Sequence, residues 1–201
     1  IALAPKDVLP HLNLGNLYLA AKDFASAIAA YQTALALQPE MPEALRSLAE
    51  VYLAQGDPVT AEACLRRALA SRPAYVDARV RLGDLCRESR RLAEALACYR
   101  QAVAQQPGRA PYLNRLGEVL QEMKQLPEAE SVYRQALAVD ANNPDVFNNL
   151  GILLHERKRY AESEAAYRQA IALRPEYAEA YNNLAVLVQK LKHFAAAETF
   201  Y

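Results

Sequence analysis

The chain has no surplus of either charge, since 23 lysines and arginines are cancelled by 23 aspartates and glutamates. With no net field there is no long-range pull toward nucleic acid, an anionic membrane or an acidic substrate, so any partner must be chosen by local pattern. Long hydrophobic runs are missing too. No stretch approaches the roughly 18 apolar residues of a membrane span, and the first residues lack the basic-then-apolar order of a signal peptide. A soluble protein is expected. Cysteine is scarce and odd in number: Cys64, Cys86 and Cys98 form no CxxC or CxH pair. That argues against a disulfide framework or a zinc site and suits a reducing, cytoplasmic compartment.

Catalytic signatures are absent as well. His155-Glu156 begins like a zinc-protease helix, but Arg159 stands where the second histidine belongs, and His11 and His193 lie far away in sequence. Gly83, Gly117 and Gly151 are isolated within helical patterns, unlike a phosphate-cradling loop, and there is no GxSxG or P-loop. The cysteines read as small hydrophobic fillers. No enzyme site, metal or cofactor is expected.

What is present is a repeat. With Pro144 as position 1 of a unit of 34 residues, stepping by 34 in either direction brings the whole chain into register without a gap. Position 7 is Leu14, Leu48, Leu82, Leu116, Leu150 and Leu184; position 8 is Gly15, Ala49, Gly83, Gly117, Gly151 and Ala185. Position 20 is Ala27, Ala61, Ala95, Ala129, Ser163 and Ala197, and position 24 is tyrosine except for Leu65. Position 27 is alanine in Ala34, Ala68, Ala102, Ala136 and Ala170; position 32 is Pro5, Pro39, Pro73, Pro107 and Pro175, with Ala141 departing. Small residues where helices approach and large ones between, at one strict period, predict a helical solenoid. Positions 1 to 14 should form helix A and roughly 17 to 31 helix B, with the prolines at starts and stops and turns such as Gly56-Asp57-Pro58 and Lys158-Arg159 between.

The pattern resembles the tetratricopeptide repeat over essentially the whole chain. The resemblance implies an all-α fold, a right-handed superhelical solenoid of antiparallel helix pairs. Its units would be 8–41, 42–75, 76–109, 110–143 and 144–177, preceded by the end of an earlier repeat at 1–7 and followed by a truncated one at 178–201. Ile1 to Pro5 matches Ile171 to Pro175, so the chain reads as part of a longer array. Neither end carries a polar capping face, and end-to-end self-association is expected.

On helix A, positions 4, 7, 8 and 11 share one side and should pack, while 2, 5, 6, 9 and 13 face away. In the family the second set lines a concave groove that holds partner segments, so the resemblance implies a protein or peptide ligand here. The first copy offers Leu9, Leu12, Asn13 and Asn16, and the second Glu43, Arg46, Ser47 and Glu50. Copies three and four offer Asp77, Arg81, Asp84, Glu88, Asn114, Arg115, Glu118 and Glu122, and copies five and six turn to Asn148, Asn149, Asn182 and Asn183. A primary amide both donates and accepts, so an asparagine row suits recognition of an extended backbone whatever its side chains. Arg81 with Asp84 and Arg46 with Glu50 are spaced to pair within their helices.

The expected function is therefore a non-catalytic interaction scaffold binding an extended peptide or helix. An alternative rests on Tyr167 to Ala185, which resembles the repeats of O-linked N-acetylglucosamine transferases: the array would then be the substrate-recognition arm of a larger enzyme. Docking of an acidic chaperone tail fits less well. Of the five clamp positions, held here by Leu12, Asn16, Ser47, Asp77 and Arg81, only two match.

Overall fold

The computed structural model describes the backbone of residues 7–198 and the side chains of residues 7–192. His193, Ala197, Tyr201 and the segment through Pro5 therefore lie outside the described side chains, as do both surfaces of the expected end-to-end contact.

The chain divides into two compact units, Ile1–Gln105 and Gln106–Tyr201. Within the first, helices pair in sequence order: α1 (Val8–Ala20) with α2 (Phe24–Leu37), α3 (Pro42–Ala54) with α4 (Pro58–Ser71), and α5 (Val76–Glu88) with α6 (Leu92–Gln105). The second holds α7 (Ala110–Glu122) with α8 (Leu126–Val139), α9 (Pro144–Glu156) with α10 (Tyr160–Leu173), and then α11 (Ala178–Glu198). Each B helix also touches the next A helix of its unit, which gives an all-α helical repeat solenoid.

Local chemistry sets the ends. Pro42, Pro58 and Pro144 occupy the first helical position, where a missing N–H costs nothing. The side chains of Asp23, Asp57 and Asn143 cap α2, α4 and α9 by accepting from Ser26, Thr60 and Val146 N–H at 3.1, 3.0 and 3.2 Å. Every A helix from α1 to α9 closes on a residue in the left-handed region: Lys22, Gly56, Arg90, Lys124 and Lys158, with φ between 59° and 79°. All five stand at position 15. The following N–H reaches back five residues in each case, as in Arg159 N–H to the Leu154 carbonyl at 2.9 Å, which makes these Schellman turns.

The core is the repeated set. The position-27 alanines are wholly buried, and so are Tyr31, Tyr99 and Tyr133. An added Cβ on Gly151 would lie 2.5 Å from the Tyr167 ring, and one on Gly83 2.8 Å from Tyr99. Glycine at position 8 is thus the seat of the position-24 ring, and the copy with Ala49 carries the smaller Leu65 instead. Ser163, the one hydroxyl among the position-20 alanines, is buried and satisfied by donating to the Gly151 carbonyl at 2.7 Å.

The sixth copy departs from expectation. A turn is predicted after position 14, yet α11 runs straight through Lys192 at position 15. A left-handed lysine costs about 1–2 kcal/mol, which the other copies recover by docking helix B back onto helix A.

Candidate functional site

In unit 2 the A helices α7, α9 and α11 lie side by side, and their inner lane opens into a cleft of about 390 Å³. Asn114, Arg115 and Glu118 of α7 form one wall, Asn149 of α9 the floor, and Asp145, Tyr177 and Glu179 the far side. The lining is mostly polar.

Hydrogen bonds fix its floor. Asn149 Nδ2 donates to Asn114 Oδ1 at 3.0 Å and to Glu118 Oε1 at 3.1 Å, while Asn114 Nδ2 donates to the same carboxylate oxygen at 2.8 Å. On the far side Arg174 grips Asp145 through two parallel bonds of 2.9 and 3.0 Å, its guanidinium 4.6 Å from the centre of the Tyr177 ring. Hydrogen bonding from Arg174 holds the Asp145 carboxyl below the usual carboxylate range against the opposing effect of burial. Burial first, then its bond to Asp145, pushes the Tyr177 hydroxyl well up, so it stays a donor. This wall is pre-set at any ordinary pH.

Unit 1 builds the corresponding place differently. Arg81 reaches Glu50 through Nε at 3.1 Å and Nη2 at 3.0 Å, and Arg46 lies 3.9 Å from the same carboxylate while donating to Tyr75 Oη at 3.0 Å. The within-helix pairs expected from spacing, Arg46 with Glu50 and Arg81 with Asp84, both form, but at 3.9 Å. The tighter contact joins neighbouring repeats.

The predicted lane is less open than its helical phase implies. Asn148 is fully buried, bonding Glu179 through its own Nδ2 at 3.1 Å and accepting from Asn183 Nδ2 at 3.0 Å. It is an interior residue, because α11 closes over position 5 of α9. Ser47 and Asp84 are buried too, and the Tyr99 hydroxyl donates to Asp84 Oδ1 at 2.6 Å. Asn16 is engaged in the same way, its Oδ1 accepting from the Tyr31 hydroxyl at 2.8 Å. Asn13 and Asn182 are exposed and do not line the cleft. Of the residues expected on the lane, Asn114, Arg115, Glu118 and Asn149 come together there. Asp145 and Glu179, at position 2, were within reach of the helical phase; Tyr177 and Asn143, in the turns before helix A, carried no signal in the periodicity.

Among the described residues one group could in principle hold a cation, Glu62 with Cys86 and Glu94. Arg91 already bonds Glu62 at 2.7 Å and lies 3.4 Å from Glu94, so the carboxylates face a guanidinium, and burial pushes the Cys86 thiol up, away from the thiolate a metal needs. No described helix is long and apolar enough to cross a membrane.

No curated protein matches the sequence at a significant level. Solved structures match in fold. YrrB, described as a TPR protein with an unusual peptide-binding site, is 22% identical with a TM-score of 0.74, over 88% of this chain and 91% of that one. MamA from Desulfovibrio magneticus gives 18% and 0.77, over 87% and 99%. The pilF protein of Pseudomonas aeruginosa gives 23% and 0.74, over 93% and 91%. Models of the tetratricopeptide repeat match residues 18–82, 52–116, 108–176 and 159–201. With that match spanning the array and the helix pairs in register, the chain belongs to the tetratricopeptide repeat family.

Proposed function

We propose that the chain is a non-catalytic protein-interaction scaffold, and that the cleft on α7, α9 and α11 holds an extended segment of a partner protein. The carrying observation is the cleft itself: about 390 Å³ lined by donors and acceptors from consecutive A helices. A lane built from successive repeats offers contacts at regular intervals along an extended chain, and its walls are held by internal hydrogen bonds before a ligand arrives, which lowers the ordering cost of binding. The peptide-binding site attributed to YrrB supports the same reading.

The asparagine row gives less support to sequence-blind backbone recognition, and so to a substrate arm of a transferase. Asn148 is buried, and both N–H groups of Asn149 are engaged within the protein.

The test is affinity capture with the intact chain beside an Asn114→Ala, Asn149→Ala double variant. Partners should be lost from the variant while its helical circular dichroism stays that of the parent. An identical set of captured partners would place binding elsewhere.

A further inference from the structure

Most of the charge in the cleft is matched before a ligand arrives. Glu118 and Arg115 are both engaged within the protein, and Arg174 spans both oxygens of Asp145. The hydrogen-bonding capacity left over belongs chiefly to amides, each of which has two N–H groups and one accepting oxygen. Asn114 gives one N–H to Glu118 Oε1 at 2.8 Å and Asn143 gives one to Asp140 Oδ2 at 3.0 Å, so each keeps the other. Asn149 gives its N–H groups to Asn114 and Glu118 and keeps Oδ1. Glu179 accepts from Asn148 Nδ2 through Oε1 at 3.1 Å and keeps Oε2. Among the described residues none of these four remaining groups has a bonding partner, and all four residues line the cleft.

We propose that the cleft receives a glutamine or asparagine side chain of the bound segment, its amide exchanging hydrogen bonds with Asn114 and Asn149 and using Glu179 as a second acceptor. This deepens the reading of the cleft as a peptide site and rests on it. Two donors and two acceptors in one cleft match few guests. An ammonium or guanidinium has no acceptor for Asn114 and Asn143, and a carboxylate has no donor for Asn149 and is repelled by Glu179; an apolar group meets neither need. A backbone peptide group offers a single N–H. A primary amide offers two N–H groups, one for each acceptor, and an oxygen for the donors. The lane already pairs amide with amide from its own residues: Asn149 Nδ2 donates to Asn114 Oδ1 and Asn183 Nδ2 to Asn148 Oδ1, each at 3.0 Å and between neighbouring A helices.

A displayed library of random short peptides, selected against the whole chain and then measured against Glu179→Gln and the Asn114→Ala, Asn149→Ala double variant, decides the matter. Glu179→Gln keeps an oxygen for Asn148 and sets an N–H group where the open acceptor stood, at unchanged shape. The expected result is a pool enriched in glutamine or asparagine at one position. Replacing that residue of a chosen peptide by glutamate, lysine or methionine should each weaken binding about tenfold, as should Glu179→Gln. The peptide changes need no altered protein, so the test holds even if a variant fails to fold. Peptides lost from the double variant but with no amide preference, or indifferent to those replacements, would overturn the amide inference and leave the peptide-site reading standing. Peptides bound equally by parent and double variant, or none retained, would remove the peptide-site reading and this inference with it.

Discussion

Gly151 and Tyr167 show how tightly single residues are matched. The ring lies where a Cβ on Gly151 would come within 2.5 Å, and it is buried, so it has nowhere to retreat. Gly151→Ala should therefore cost about 1–3 kcal/mol through overpacking, read as a shift of the urea midpoint. Adding Tyr167→Leu should return part of that cost, because Ala49 and Leu65 already form this combination in the second repeat. A double-mutant cycle showing strict additivity would break the link. Asn148 makes a different point. Helical phase alone placed it beside Asn149 on an open face, yet it is buried under α11 and bonded to Glu179 and Asn183. Asn148→Ala should lower stability by about 1–3 kcal/mol, since it leaves buried polar partners unsatisfied. Phase describes one helix, and burial depends on the next; that is why the sequence marks Asn149 and Asn148 alike and the structure does not.

At the scale of elements, the helix bounds were legible because each has a local cause. Helix A covers positions 1 to 13 and helix B 17 to 30 in the complete repeats, within a residue of expectation, as in Pro144–Glu156 and Tyr160–Leu173. Prolines, caps and the 34-residue period all act within a few residues or repeat in register. The contacts that make the site were not legible, because Arg81 to Glu50 and Asn149 to Glu118 span 31 residues between neighbouring A helices, a pairing that no single helix displays. The turns carry their own prediction. Lys158 sits at φ 60°, where a side chain is strained and glycine is not. Lys158→Gly should raise stability by about 0.5–1 kcal/mol, seen as a higher melting temperature, whereas Lys158→Val should lower it.

Across the molecule as a whole, one ion network recurs two repeats apart. Glu62 with Arg66, Arg91 and Glu94 in unit 1 matches Glu130 with Arg134, Arg159 and Glu162 in unit 2, where Arg157 also reaches Glu130. The Arg91 hydrogen bond holds Glu62 below the ordinary carboxylate value of 4.5 despite burial. Burial works against Glu130, but bonds from Arg134 and Arg159 outweigh it and lower that carboxyl too. Because both folded values are depressed, the stability they contribute is complete above about 4.5 and is lost as pH falls through the lowered values. Glu130→Gln should cost about 2 kcal/mol near neutrality and flatten this acid limb in pH-dependent denaturation. His155 adds a milder step. Burial and the Lys190 amine, 3.4 Å from its Nε2, lower its value below 6.5, so the folded state loses stability as pH falls below about 6.5, and His155→Gln should remove that step. None of these networks lines the cleft, which leaves binding free to be tested separately from folding. The most direct measurement is an NMR titration of the labelled chain with a peptide selected from a displayed library for binding to it, following the side-chain amides of Asn114 and Asn149. Shifts at those two amides, together with neighbouring Glu118 and Tyr177, are the predicted result; shifts confined to the helix B faces around Arg66 and Arg134 would contradict it.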